Sequence, residues 1–177
     1  MESLAQLVHQ LDIELLIPMD DPECDLLSDY RNRSRLDSEV ALPPKEIYEF
    51  ARNKYKTFEQ AVKLGLRVPR TILVQDMPAL QRAISDVQMP MVVKPIRSSG
   101  SRGVFLLRKG HLPPSFTGAF ERYGPLIMQD LIPSTEALGV SCLVNNGEIL
   151  ASFTHRRVLQ FPESGGPSIV RESARNE

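Results

Sequence analysis

Apolar positions near the start of the chain recur at helical spacing. Leucine and valine side chains within 4–11 follow the i, i+3, i+4, i+7 pattern of an amphipathic helix. A short apolar run over 13–17 then predicts a strand, residues 20–30 predict a second helix, and 40–42 predict a second strand. This alternating order favours parallel pairing. Because two parallel strands alone do not make a stable sheet, we expect this segment to be the tail of a larger α/β domain.

Two short helices are predicted next. An apolar stripe through Ile47 and Phe50 predicts the first, and residues 54–64 predict the second, with Asn53 as its cap. Lys54 then lies in the first turn, where a cation opposes the helix dipole. That placement makes sense if Lys54 faces an anion. The alternative is one continuous helix on which Lys54 is a surface residue.

The rest of the chain is dominated by short apolar runs of strand character. The strongest local signal is Asn146-Gly147 between two such runs, which predicts a hairpin with a type I′ turn. An amphipathic helix is predicted around 80–87. The predicted strands cover 71–74, 91–94, 104–107, 126–132, 140–144, 148–153 and 168–170.

The stretch from Met91 to Val104 carries the most suggestive chemistry. An apolar strand ends in Lys94, Pro95 follows, and a loop of small residues leads to the next strand. The loop residues are Ser98, Ser99, Gly100, Ser101, Arg102 and Gly103. Bare backbone N–H groups in such a loop can approach a ligand closely, and the nearby cations favour an anion. We infer a polyphosphate, although the loop alone fits a mobile hairpin with solvated cations equally well.

Composition excludes several classes of protein. With 21 Lys and Arg against 22 Asp and Glu, the net charge of -1 offers no basic excess for nucleic acid. No apolar stretch reaches the ~18 residues of a membrane span, and the start lacks a secretory signal pattern. We therefore expect a cytoplasmic protein with no membrane or nucleic-acid partner. The three histidines are too far apart for a metal cluster, and His155 is expected to pack within a strand.

Taken in order, these motifs resemble the ATP-grasp superfamily, in particular the branch that contains the large subunit of carbamoyl-phosphate synthetase. The resemblance extends over about 45–173. It is carried by Asn53-Lys54-Tyr55-Lys56-Thr57, Val92-Val93-Lys94-Pro95, the loop 98–103, the hairpin 139–157 and Gly165-Gly166-Pro167-Ser168.

The resemblance implies roles at the phosphate end of a bound ATP. Lys54 and Lys94 would contact the phosphates as point charges. The loop 98–103 would fold over the β- and γ-phosphates. Arg156 and Arg157 would reach a phosphate or a substrate carboxylate, and the alternative is that they form the charged face of an edge strand.

It also implies roles at the nucleoside end. The segment 128–132 would be the adenine hinge, with backbone groups of Asp130 and Ile132 meeting the edge of the base. The family usually has a glutamate that accepts from the exocyclic amine, and the candidates here are Gln129 and Asp130. Glu136 would hold the ribose hydroxyls.

The fold class implied is α/β, of the α+β ATP-grasp type. It would comprise the C-terminal part of a Rossmann-like domain that precedes ATP-grasp (1–43), a first ATP-grasp subdomain with the phosphate loop (44–125) and the truncated start of a second (126–177). No Glu-x-Asn magnesium motif occurs, so we expect the metal ligands outside this chain. The resemblance leaves the identity of the catalytic residues open. The chain would be a fragment with an open sheet edge, through which it could form homo-oligomers.

The function implied is that of the ATP-binding portion of a ligase. Such enzymes, of the EC 6.3 type, use ATP and Mg²⁺ to join a small carboxylate to an amine or thiol through an acylphosphate. We expect the chain alone to be inactive. The alternative is a non-catalytic module that senses a nucleotide or binds another protein.

Overall fold

The computed structural model describes residues 2–31, 38–108, 111–133, 136–161 and 166–175. They belong to two compact units, Met1–Val68 and Pro69–Glu177. No helix in these described ranges is long and apolar enough to span a membrane. Gly165, the first residue of the predicted Gly-Gly-Pro loop, lies outside them.

The first unit alternates helices with two very short strands. Its elements are α1 (Glu2–Gln10), β1 (Leu15–Leu16), α2 (Asp21–Arg31), β2 (Glu39–Val40), α3 (Lys45–Arg52) and α4 (Lys54–Lys63). Strands β1 and β2 are parallel, with Leu15 opposite Glu39, which confirms the predicted pairing. Both are shorter than their apolar runs, because each has a single neighbour in the described part of the chain.

The break between α3 and α4 occurs at Asn53. Its backbone is extended (φ −91°, ψ 100°), so the helical hydrogen bonds cannot continue through it. Its side-chain oxygen accepts a hydrogen bond from the backbone N–H of Lys56 at 3.2 Å, as a helix N-cap does. Two helices are therefore present, the continuous helix is excluded, and Lys54 is the first residue of α4.

A polar network ties α3 to α2. The Tyr48 hydroxyl donates to Asp25 Oδ1 at 2.7 Å, and Arg52 Nη1 lies 3.2 Å from Asp21 and 3.3 Å from Asp25. Burial, together with the hydrogen bond to Asp25, raises the pKa of Tyr48 to about 12. These contacts hold the end of α3, and hence the Asn53 break, against the preceding helix.

A four-stranded antiparallel sheet forms the core of the second unit, in the order β3-β6-β4-β5. The elements are β3 (Thr71–Val74), α5 (Met77–Ser85), β4 (Met91–Pro95), β5 (Phe105–Leu107), a 3-10 turn (Pro114–Phe116), α6 (Ala119–Tyr123) and β6 (Leu126–Asp130). The predicted strand 71–74 is confirmed. Strand β6 ends at Asp130, two residues earlier than predicted.

One face of this sheet is the hydrophobic core. Alternate residues of the strands point into it, as period-two patterning requires. The core members are Val74, Leu80, Met91, Val93, Phe105, Leu107, Phe116, Ala119, Leu126 and Met128. Helix α5 starts with Asp76 as its cap, whose carboxylate accepts from the N–H of Ala79 at 2.7 Å, and it brings Leu80 into this core.

The second unit also contains a three-stranded antiparallel sheet in the order β7-β8-β9. Its strands are β7 (Leu138–Asn145), β8 (Glu148–Gln160) and β9 (Ser168–Ser173). Asn146 (φ 49°) and Gly147 (φ 83°) link β7 to β8, and positive φ at both confirms the predicted hairpin turn. Because β8 is the middle strand, the expectation that Arg156 and Arg157 lie on an edge strand is wrong. Self-association through a sheet edge stays a prediction.

Candidate functional site

The face of the four-stranded sheet opposite the core carries polar groups. Directly paired residues of antiparallel strands share a face. Lys94 is paired with Ile127, and Val92 with Gln129, which is in turn paired with Thr71. Lys94, Gln129 and Thr71 therefore lie on one side, away from the core cluster. Ile127 (0% exposed) and Gln129 (3% exposed) are nonetheless buried, so the part of this face on β6 is withdrawn from solvent, whereas Leu106 on β5 is exposed.

Lys94 carries its charge on this partly buried face. Desolvation lowers the pKa of its ammonium group from the ordinary 10.5. Removing an ammonium from water costs free energy unless an opposite charge accompanies it. A polyanion beside Lys94 would favour the charged form of its ammonium group.

Gln129 has its amide orientation fixed by its neighbours. The Thr71 hydroxyl donates its single proton to the carbonyl of Pro69 at 2.9 Å. Its oxygen can then only accept, and it does so from Gln129 Nε2 at 2.7 Å. The Nε2 group of Gln129 therefore faces Thr71, which leaves Oε1 as the acceptor of this side chain.

Asp130, the other candidate for the amine acceptor, is engaged elsewhere. Its Oδ1 accepts from Arg70 Nη2 at 3.1 Å and from Arg70 Nε at 3.3 Å. Its backbone N–H donates to the carbonyl of Arg70 at 3.2 Å. Ile132 lies beyond the end of β6 and is 59% exposed. Of the two side chains left open by the sequence, the geometry favours Gln129.

The small-residue loop is folded into two successive turns. The N–H of Arg102 donates to the carbonyl of Ser99, and the N–H of Val104 to that of Ser101, both at 3.2 Å. Gly100 (φ 60°) and Ser101 (φ 61°) adopt the left-handed region that the first turn requires. Arg102 also donates through Nη2 to Ser99 Oγ at 2.7 Å. The Arg102 guanidinium is thus held within the loop.

Gly103 anchors the C-terminal end of this loop. Its φ of 74° is one that residues with a Cβ rarely adopt, and a Cβ there would lie 2.8 Å from Pro95 Cγ and 2.9 Å from Tyr123 Cε2. Only glycine lets the loop pack directly on Pro95, the residue that follows Lys94. The close contact of the Gly103 backbone with the Pro95 ring therefore holds the loop beside Lys94.

Glu136 and Arg156 form part of a charged cluster on the three-stranded sheet. Arg156 Nε lies 2.6 Å from Glu136 Oε1, and Arg156 Nη1 lies 3.0 Å from Glu172 Oε1. Arg156 is thus placed between two carboxylates. All three side chains are about half exposed, so the cluster contributes little to stability.

Lys54 belongs to the first unit, where it opens α4. Its convergence with Lys94 on one ligand stays a prediction. Among the described residues, no group of three or more His, Cys, Asp and Glu side chains is arranged to hold a metal ion. The location of the magnesium ligands likewise stays a prediction.

Residues 51–161 match the RimK-like ATP-grasp domain family, which is more than half of the chain. The chain belongs to this family. The predicted membership of the ATP-grasp superfamily is therefore confirmed, and the likeness to the carbamoyl-phosphate synthetase branch stays a prediction.

A curated relative is the probable alpha-L-glutamate ligase of Haemophilus influenzae (strain ATCC 51907 / DSM 11121 / KW20 / Rd). The two sequences are 26% identical over 103 residues, which is 58% of this chain and 34% of the relative. The chain thus spans about a third of the length of the curated relatives it matches.

Solved ATP-grasp structures share the fold. The biotin carboxylase domain of 2-oxoglutarate carboxylase from Hydrogenobacter thermophilus, solved with MgADP, ADP and bicarbonate, matches with a TM-score of 0.73 at 14% identity, over 90% of this chain and 37% of that one. D-alanyl-alanine synthetase A from Vibrio cholerae O1 biovar eltor str. N16961 matches with a TM-score of 0.65 at 14% identity, over 93% of this chain and 54% of that one. The predicted fold class, a mixed helix-and-sheet ATP-grasp fold, is confirmed.

Proposed function

We propose that this RimK-like ATP-grasp chain carries the ATP-binding portion of a ligase that joins a small carboxylate to an amine or thiol. The observation that carries the proposal is the partly buried Lys94 on the non-core face of the four-stranded sheet, directly before a turn loop packed on Pro95. Bound ATP would supply the phosphoryl group that activates the carboxylate. The residues of this chain would bind and orient it.

The phosphate end of the nucleotide is assigned to Lys94 and the loop 98–103. Because the Arg102 guanidinium is hydrogen-bonded to Ser99, we assign Lys94 as the cation of the second unit that would contact the phosphates. Backbone N–H groups of the loop would add neutral donors. Lys54 would supply a further cation from the first unit, in accordance with its place in the first turn of α4.

The base end is assigned to the C-terminal end of β6. From Ile127, the partner of Lys94, to Asp130 the strand advances three residues, or about 10 Å at 3.3–3.4 Å per residue. This separation suits an extended nucleoside triphosphate. Gln129 Oε1 would accept from the exocyclic amine, and the Asp130 carbonyl and Ile132 would meet the edge of the base. Glu136 would bind the ribose hydroxyls, at the expense of its contact with Arg156.

The Haemophilus influenzae relative is described as a probable alpha-L-glutamate ligase. We propose an amino-acid-like carboxylate for this chain as well.

Replacing Gln129 by leucine tests the base assignment. Leucine removes the acceptor that we assign to the exocyclic amine of adenine, so ATP affinity should fall by about tenfold, the equivalent of one hydrogen bond. GTP presents an oxo group at the corresponding position, so its affinity should change little. Calorimetric titration with each nucleotide gives the ratio of the two dissociation constants.

Met128→Leu is the matched control, because Met128 is the preceding residue of β6 and points into the core. It should leave the ratio of ATP to GTP affinity unchanged. A Gln129→Leu protein that melts cooperatively and still prefers ATP as strongly as the wild type would contradict the assignment.

A further inference from the structure

Helix α3 is held in place by polar contacts rather than by buried apolar side chains. None of its side chains is fully buried, although the whole helix lies within the described residues. Its two largest apolar side chains, Ile47 and Phe50, are 57% and 38% exposed. Burial of apolar area therefore contributes little to the packing of this helix. The position of α3 in the first unit depends on its hydrogen bonds and ion pairs instead.

Arg52, in the last turn of α3, is the centre of these contacts. Its side chain is only 18% exposed, and its Nη1 atom lies within 3.3 Å of two carboxylates of α2, those of Asp21 and Asp25. The same atom donates to the Tyr48 hydroxyl at 3.1 Å, and the guanidinium lies 5.8 Å from the centre of the Tyr48 ring. Because Asp21 and Asp25 are one helical turn apart, they bracket the guanidinium. Arg52 thereby fixes the C-terminal end of α3 to α2.

Lys54 follows Arg52 by only two residues. The residue between them, Asn53, has an extended backbone, and its N–H donates to the carbonyl of Phe50 at 3.1 Å. Two residues of chain span at most about 7 Å, so the backbone of Lys54 follows any movement of Arg52. The Thr57 hydroxyl donates to the carbonyl of Lys54 at 2.9 Å, which holds Lys54 in the first turn of α4. A shift in the end of α3 is therefore passed on to the start of α4.

We propose that Arg52 is a positioning residue for Lys54, and that its ion pairs with α2 set the place from which the Lys54 ammonium group would contact the ATP phosphates. Coulomb attraction falls with distance and is screened by water, so a displaced lysine loses most of its attraction for the anion. The guanidinium of Arg52 is itself occupied by two carboxylates and a hydroxyl. The inference rests on the proposed function, because Lys54 has this role only if the chain binds ATP.

Calorimetric titration of the whole chain with ATP tests this role in a double-mutant cycle with Lys54. Arg52→Gln should weaken ATP binding by about tenfold, within the range found for coupled residues. In the Lys54→Met background, the same substitution should change the dissociation constant by less than about twofold, because the group that Arg52 positions is gone. Tyr48→Phe keeps every charge and removes only the hydroxyl. It should weaken ATP binding by about threefold, again only when Lys54 is present.

Lys45→Gln is the matched control for Arg52→Gln. Lys45 also joins α3 to α2, through its ion pair with Asp29, and it carries the same single positive charge. It lies at the opposite end of α3, far in sequence from Lys54. Its replacement should leave ATP affinity within about twofold, as expected for a largely exposed ion pair.

Hydrogen exchange in the absence of nucleotide gives a second readout. The N–H groups of Lys56 and Thr57 both donate to Asn53, and they should exchange faster in Arg52→Gln than in the control variant. Equal effects of Arg52→Gln on ATP binding with and without Lys54 would overturn the proposal, as would a Lys54→Met protein that binds ATP like the wild type. A wild-type chain that does not bind ATP would refute the proposed function, and this inference with it.

Discussion

Replacement of Lys94 by methionine is expected to weaken ATP binding by about thirtyfold. A hydrogen bond to a charged group contributes about 1.5–3 kcal/mol, and 2 kcal/mol corresponds to that factor. Methionine keeps the length and volume of the side chain and removes only the charge. Calorimetric titration with ATP measures the change.

The same substitution is expected to leave the fold intact or to stabilise it. Because the folded pKa of Lys94 is lowered, the unfolded chain binds more protons between that pKa and 10.5. Because of Lys94, the free energy of unfolding therefore increases as the pH rises through this window. The methionine variant should lack this increase. Urea unfolding at several pH values checks the slope.

Lys63→Met is the control for Lys94→Met, because Lys63 is an exposed residue in the last turn of α4. It should leave ATP affinity within about twofold, as expected for a screened surface charge. Equal losses in both variants would show that Lys94 acts only through the overall charge of the protein.

Replacement of Gly103 by alanine is expected to give the largest loss of stability. A left-handed backbone costs a residue with a Cβ about 1–2 kcal/mol, and overpacking against Pro95 and Tyr123 adds typically 1–3 kcal/mol. We expect a total of about 2–5 kcal/mol in urea unfolding, together with weaker ATP binding, since the loop would leave its place beside Lys94.

Replacement of Gly100 by alanine separates the cost of the left-handed backbone from the cost of overpacking. Gly100 has a similar φ of 60°, but a Cβ there would have no atom within 4 Å. It should cost only the backbone term of about 1–2 kcal/mol. If the two alanine variants unfold at the same urea concentration, the close packing of Gly103 on Pro95 is not what holds the loop.

Local signals in the sequence predicted the elements that depend on neighbouring residues. The strand 71–74, the Asn53 cap and the turn at Asn146-Gly147 all follow from short-range rules on patterning, capping and positive φ. The sequence predicts longer strands in the first unit than the two-residue strands that form there. An apolar run gives no information on how many neighbouring strands will pair with it.

The contacts that define the candidate site depend on strand order instead. Gln129 meets Thr71 across 58 positions of sequence, and Asp130 meets Arg70 across 60, because β3 lies beside β6. The sequence named Gln129 and Asp130 as alternatives and could not choose between them. It also overlooked Arg70 and Thr71, whose roles follow only from that pairing.

The most direct test of the central claim is a map of backbone amide shifts on addition of ATP to the labelled chain. ATP bound on the non-core face should shift Lys94, the loop 98–103 and the segment 127–132 together, and should leave the β7–β8 turn unchanged. Shifts confined to other parts of the second unit, with Lys94 and the loop unaffected at saturating ATP, would contradict the account.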